Sequence, residues 1–241
     1  MSAGASPDPE AEAFALAAQR ASLELACVLS AALLVCLGLT SLLPLALAGP
    51  LGLACVVLRL GRFGSARSLL PNLITALRVL LISLMGWLGP QGNAHWQAGL
   101  VALVFTLDGA DGSLARKLSA CSRLGAHFDM ESDGYLVLML CTLLWLRGCP
   151  PWVLSAGLLR YAYVFVTQLA PSRGEAPPSR FGRYAFSVTL TCLTAALLLD
   201  APFGSLVAGV GTALLAWSFG RSFYWALHPG ATRSEREQLG E

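Results

Sequence analysis

The chain has 241 residues, of which 56% are hydrophobic and only 12% charged, with a net charge of +2. A soluble domain carries about twice that share of charged residues. Composition therefore excludes an ordinary soluble enzyme and predicts an all-α, polytopic membrane helical bundle.

Residues 1–12 are Ala, Pro, Ser and acids, and the expected disordered N-terminus is set at 1–20. This start has no basic n-region, so no cleaved signal peptide is expected. From Ser22 to Leu58 the chain is apolar apart from Glu24. That is too long for one membrane span and just enough for two short ones. A hairpin over 21–60 turning at Thr40-Ser41 is favoured. The alternative is one span to about Leu47 followed by an interfacial helix after Gly49-Pro50.

Arg59, Arg62 and Arg67 mark a basic loop, and 61–228 reads as the main membrane domain. Its first span runs from Leu69 to Leu88, with Pro71 in the opening turn, and carries Asn72, Thr75 and Arg78. After a polar turn at 89–95, a second span starts near Trp96, and a third covers Gly125 to Leu146. Arg147 to Pro151 breaks the chain. Trp152 to Ala170 forms a span holding Arg160, where a mid-membrane charge needs a partner. Pro171 to Arg183 is a polar loop with Arg173, Arg180 and Arg183. Tyr184–Leu199 and Phe203–Leu227 complete a six-helix core, which the two-helix extension precedes. A solvated tail, 229–241, follows.

Seven cysteines, at 27, 36, 55, 121, 141, 149 and 192, form no CxxC pair. They read as small core residues. Arginines concentrate in the loops at 59–67, 117–123 and 171–183 and in the tail, against Arg147 alone on the other face. The positive-inside rule places the basic face in the cytoplasm. A single lysine among 16 basic residues hints at a GC-rich genome; the expected location is a bacterial inner membrane.

Function concentrates between the second and third core spans. Of 14 acidic residues, five fall in this apolar setting: Asp108, Asp111, Asp129, Glu131 and Asp133. Carboxylates in a bilayer are costly and mark function. Asp108 and Asp111, at i and i+3, share one helix face, and Asp129 and Asp133, at i and i+4, share another. The short polar stretch Lys117 to Leu124 turns the chain between them. Two antiparallel helices then gather four carboxylates, which repel unless a cation sits among them. Hard oxygen ligands favour Mg²⁺, Mn²⁺ or Ca²⁺ over Zn²⁺. Glu131 faces away from Asp129 and is left out of the set, and His127 is read as packing.

The series Asp108-x2-Asp111-Gly112-x2-Ala115-Arg116-x8-Gly125-x3-Asp129-x3-Asp133 resembles the signature of the CDP-alcohol phosphotransferases, with all eight fixed positions met over 26 residues. The resemblance implies a CDP-linked lipid donor such as CDP-diacylglycerol, two divalent ions (Mg²⁺ or Mn²⁺), an acceptor alcohol that is small or a lipid, and release of CMP. It implies that Asp108, Asp111 and Asp129 are the main metal ligands. Asp133 would be the general base and a metal neighbour. Asp111, Gly112, Ala115, Arg116 and Gly125 would contact the CDP-lipid. Asn72 and Thr75, in a segment resembling the first core helix of many members, would wall the nucleotide pocket. Arg78 would join that wall or snorkel to the interface.

Arg160, Arg180 and Arg183 are acceptor-binding candidates, suited to a phosphorylated acceptor; the bland alternative is loop charge and a snorkelling arginine. Gly182-Arg183 stands where many members carry Gly-Lys, and Gly134 where several subfamilies carry Lys or Arg. Membrane lipid is an expected partner, a homodimer is compatible, and no nucleic acid is expected. The competing readings are a divalent-cation transporter using intramembrane carboxylates and a non-catalytic relative. Against them stand the absence of a second copy of the motif and the intact signature.

Overall fold

A computed structural model describes residues 9–63, 69–117, 122–169 and 180–227. The described residues form eight α-helices and no strand: α1 (Pro9–Leu39), α2 (Leu43–Leu60), α3 (Leu69–Leu88), α4 (Ala94–Lys117), α5 (Arg123–Leu146), α6 (Leu154–Leu169), α7 (Arg180–Leu198) and α8 (Ala201–Leu227). Single 3₁₀ turns at Gly61–Phe63 and Pro151–Val153 follow α2 and precede α6. The all-α bundle with six core helices and a two-helix extension is thus present. The polar tail at 229–241, residues 1–8, Arg67 and Arg173 lie outside the described residues.

The extension is a helical hairpin, as favoured. Thr40 takes a left-handed φ of 50° and ends α1, the usual way a helix is stopped sharply. Ser41 Oγ accepts a hydrogen bond from the Leu43 amide at 3.3 Å, and Pro44 sits in the first turn of α2. Pro50 lies inside α2 and starts no interfacial helix. The N-terminal boundary differs from expectation. Helix α1 begins at Pro9, with Glu10 and Glu12 in its first turn, so residues 9–20 are helical. Acids there complement the helix dipole, and the Ala-rich run after them has high helix propensity.

Helix α5 is the axis of the bundle. From Gly134 to Leu144 every residue is buried, and the helix packs on α1, α2, α3, α6 and α7. A helix that is apolar all round belongs inside a bundle. Small residues bring its neighbours close. A Cβ at Gly49 of α2 would run into the Tyr135 ring, and one at Gly157 of α6 would lie 2.9 Å from the Leu138 Cα. Tyr135 donates its hydroxyl to the Leu45 carbonyl at 3.3 Å and pairs with Ser83 Oγ at 3.1 Å, joining α5 to α2 and α3.

Four helical stretches among the described residues are long and apolar enough to cross a membrane: Glu10–Leu39, Leu43–Phe63, Phe181–Leu198 and Pro202–Tyr224. The apolar stretch Asn72–Leu88 is shorter. Helices α4, α5 and α6 fall outside this set, although spans were expected there. Helices α4 and α5 carry the acidic cluster, and α6 has only 16 residues. Several of their polar residues, Gln97, Glu131, Ser132 and Thr142 among them, are buried inside the bundle. The six described cysteines are free. Cys36, Cys141 and Cys149 are core residues as expected, whereas Cys27 and Cys55 are exposed. Cys121 lies outside the described residues.

The connections near 90–94, 147–149 and 199–204 meet around one cavity, where Arg147 donates to the Gly92 carbonyl and to Gln97 Oε1. The acidic residues and the turns at 61–63 and 122 belong to the other end. Single cysteines at Arg62 and Arg123 should therefore react with an impermeant maleimide from one side of sealed vesicles, and a cysteine at Gly148 from the opposite side. Labelling of 62 and 123 from different sides would overturn this up-and-down order.

Candidate active site

Helix α5 starts from a defined cap. Ser122 is extended (φ −125°, ψ 150°), and its hydroxyl accepts the Gly125 amide at 3.0 Å, satisfying a donor the first turn leaves open. A Cβ at Gly125 would lie 3.0 Å from Asn72 Oδ1 and 3.1 Å from Ser122 Oγ. Glycine here lets α3 approach the start of α5. Among the described residues Asn72 Oδ1 is buried with no hydrogen-bond partner, and Thr75 one turn on is buried. An orphaned acceptor beside buried Thr75 suits a ligand bearing an amino group.

Beyond that point three carboxylates converge. Ligand oxygens of Asp108 on α4 and of Asp129 and Asp133 on α5 all lie within 4.8 Å of one another. Arg78 of α3 is 1% exposed and enters this group from behind. Its Nη1 lies 2.9 Å from Asp108 Oδ1 and bonds Asp129 Oδ1; its Nη2 donates to Asp133 Oδ1 at 2.6 Å. Sequence reasoning offered Arg78 as a pocket wall or a snorkelling residue. It is the counter-charge of the cluster instead. The signal was present: an arginine inside an apolar span, in step with Asn72 and Thr75 at successive i, i+3 positions.

Three carboxylates against one guanidinium leave two negative charges among the described side chains. In Asp129 and Asp133 the bonded atom is Oδ1, so the second oxygen of each is available to a further cation. An all-carboxylate donor set of this charge fits a hard divalent ion. Asp111, Gly112, Ala115 and Arg116 continue α4 as helix, with Asp111 one turn beyond Asp108. Their side chains, like that of Arg180, lie outside the described residues.

Glu131 does face away from the aspartates. It is 1% exposed and accepts from Ser22 Oγ of α1 at 2.5 Å and from Arg160 Nη2 of α6 at 2.6 Å. His127 Nε2 lies 3.1 Å from Ser22 Oγ and 3.7 Å from Glu131 Oε1. His127 is therefore a packed polar residue, as expected. Arg160 finds its partner in Glu131. The residue that sequence reasoning missed here is Ser22, and nothing in its local pattern marks it.

A cavity of about 320 Å³ opens on the far side of Asp133. Asp133, Gly134 and Arg160 line it, with Met130, Val137, Ala156 and Gly157 along α5 and α6 and Gly182, Phe186, Leu215, Ser218, Phe219 and Ser222 from α7 and α8. Asp133 thus belongs both to the carboxylate cluster and to this mainly apolar cavity. Gly182 reaches the wall, but Arg183 is exposed and is not part of it. Arg221 stacks over the Phe181 ring at 5.4 Å nearby.

Comparison with known proteins agrees with this geometry. Over 167 residues the chain is 29% identical to the cardiolipin synthase (CMP-forming) of Streptomyces coelicolor, an alignment covering 65% of this chain and 77% of the relative. No solved structure matches. The sequence pattern of the CDP-alcohol phosphatidyltransferases matches residues 68–221, which is more than half of the chain and includes α3 through most of α8. The carboxylate-bearing helices α4 and α5 lie wholly inside that match, and on it the chain belongs to the CDP-alcohol phosphatidyltransferase family, a family of membrane transferases of phospholipid synthesis.

Proposed function

We propose that the chain transfers the phosphatidyl group of CDP-diacylglycerol to the hydroxyl of a lipid alcohol and releases CMP. The position of Asp133 carries this reading, because it borders both the carboxylate cluster and the cavity. A group placed there can touch an acceptor in the cavity and a diphosphate held at the cluster.

The donor's diphosphate would lie over Asp108, Asp111, Asp129 and Asp133, with its nucleotide toward Asn72, Thr75, Gly112, Ala115, Arg116 and Gly125. Those aspartates would hold Mg²⁺ or Mn²⁺, two ions on this reading, which would offset charge on the diphosphate and on the departing CMP. Arg78 keeps Asp108, Asp129 and Asp133 together and oriented. The acceptor oxygen attacks the lipid-side phosphorus, its proton passes to the Asp133 carboxylate, and the bond from that phosphorus to the CMP oxygen breaks. Charge and atoms balance: one hydroxyl proton is taken up, and CMP leaves with the electron pair.

Two observations favour a lipid acceptor that carries a phosphate. The cavity wall is mainly apolar yet includes Arg160, and the Streptomyces relative is named for cardiolipin formation with CMP as product. Removing a phosphatidyl group from cardiolipin leaves phosphatidylglycerol, so that lipid leads the acceptor panel. Arg180 and Arg183 would attract anionic acceptors to the mouth of the site. The concentration of arginine at this end of the bundle supports a cytoplasmic site. The maleimide experiment above assigns that side if Arg62 and Arg123 label from the cytoplasm.

Purified protein given CDP-diacylglycerol should release CMP with phosphatidylglycerol, and less with glycerol phosphate or inositol phosphate. EDTA should abolish release, and Mg²⁺ or Mn²⁺ should restore it. Full activity in chelator would sink the metal reading, and metal flux without CMP would favour the transporter.

Asp133→Asn keeps the shape of the side chain but cannot accept a proton at neutral pH. General-base help is worth ~10²–10⁴-fold, so turnover should fall by that much while nucleotide binding survives. Asp108→Asn, with equal loss of charge, should weaken CDP-lipid binding as well. Near wild-type turnover in Asp133→Asn beside a dead Asp108→Asn would show that Asp133 is not the base.

Arg78→Lys keeps the charge but loses the fork that joins Asp129 to Asp133. Turnover should drop by at least ~10²-fold, and metal affinity measured by titration calorimetry should fall in parallel. An Arg78→Lys protein with normal turnover would show that the fork is dispensable.

A further inference from the structure

We propose that Ser22, on α1 and outside the segment that the family pattern matches, is a positioning residue that acts through Glu131 to hold Arg160 against the acceptor cavity. The proposal rests on the reading of that cavity given above. Ser22 is 6% exposed and touches no reacting group. Its effect runs along two short contacts, Ser22 Oγ to Glu131 Oε1 at 2.5 Å and Arg160 Nη2 to the same Oε1 at 2.6 Å.

A carboxylate buried in an apolar bundle must be paired and hydrogen-bonded. Glu131 has one close guanidinium and one hydroxyl donor, and both meet the same oxygen. A hydroxyl donating to a carboxylate makes a charge-assisted bond stronger than a neutral one. The Ser22 hydroxyl therefore fixes the oxygen on which the head of Arg160 rests.

The path of Arg160 leaves it little choice elsewhere. A Cβ at Gly134 would lie 3.2 Å from Arg160 Cγ and 3.3 Å from Cδ. The arginine stem thus crosses α5 where that helix has no side chain. Among the described residues Arg160 Nε is buried without a partner, and Glu131 anchors the guanidinium through Nη2. The same side chain forms part of the wall shared with Asp133. A shift of the Glu131 carboxylate moves this wall directly.

Helix α1 is fixed where it delivers Ser22. Gln168 Nε2 of α6 donates to the Gln19 carbonyl at 3.0 Å. The Phe14 ring meets Phe63 edge-on at 5.3 Å and His127 at 6.4 Å. Ser22 thus reaches Glu131 from a docked helix, one turn beyond Gln19.

Full-length protein in mixed micelles, with saturating CDP-diacylglycerol and varied phosphatidylglycerol, tests this. Ser22→Ala should raise the KM for phosphatidylglycerol about five- to tenfold, leaving kcat and the CDP-diacylglycerol KM within about twofold. Ser22→Thr, which keeps the hydroxyl, should restore the wild-type KM. Arg160→Ala should raise the same KM at least as much, and the double variant should add nothing further. If Ser22→Ala does not purify folded, Ser22→Cys keeps the volume with a weaker donor and carries the same expectation. A lowered Tm with unchanged KM, or equal loss with both substrates, would reduce Ser22 to a helix staple and overturn the proposal. If Arg160→Ala itself leaves the KM unchanged, the acceptor reading of the cavity fails instead.

Discussion

The site depends on one guanidinium. Three half-buried carboxylates on two helices would push those helices apart, and burial makes each repulsion stronger than in water. Arg78 enters from a third helix and meets all three. It thereby fixes α3, α4 and α5 relative to one another at the depth where chemistry is expected. Its fork matters as much as its charge, because one nitrogen serves Asp108 and Asp129 while the other serves Asp133. A surplus of negative charge remains after Arg78 is counted. Arg78 holds the three described carboxylates together while offsetting one of their charges, a balance that suits a hard divalent ion.

Helix α5 repeats this arrangement on its opposite face. Successive residues advance by about 100°, so Glu131 points roughly opposite to Asp129 and Asp133. One face meets Arg78 and the other meets Arg160. Each arginine comes from a neighbouring helix and pairs with a carboxylate of α5, and between them the helix is apolar and buried. A helix with acids on two faces is unstable in a bilayer unless both faces are covered by protein. This explains why α5 lies at the centre and why four other helical stretches supply the long apolar surfaces.

Much of this was legible in sequence because its signals are local. Fixed spacings put Asp129 and Asp133 on one helix face, and an antiparallel pairing of α4 with α5 was expected to bring Asp108 to them, as it does. Thr40-Ser41 was readable as a turn because an apolar run of that length must fold back. What could not be read depends on distant partners. Arg78 is separated from Asp133 by 55 positions and Ser22 from Glu131 by 109. Composition says that such charges need partners and cannot say which. Glu131 illustrates the limit: helical periodicity set it apart from the metal candidates, but not its partners. The start of α1 was misjudged for a related reason. The prolines and acids at the start of the chain look disordered, whereas the Ala-rich run that follows favours helix, and Phe14 within it has an aromatic platform in Phe63 and His127 that only the fold provides.

The segment matched by the family pattern, 68–221, is not a closed structural unit in this chain. Tyr135 at the centre of α5 gives its hydroxyl to the Leu45 carbonyl, and its ring fills the space that Gly49 leaves open. Both partners belong to α2. Glu131 takes its hydroxyl donor from α1. Removal of the N-terminal hairpin would expose the Tyr135 ring and strip a buried carboxylate of one of its two close partners. Both losses fall on the helix that carries Asp129 and Asp133. The hairpin is therefore part of what sets the geometry of the carboxylates, although it contributes no carboxylate to them.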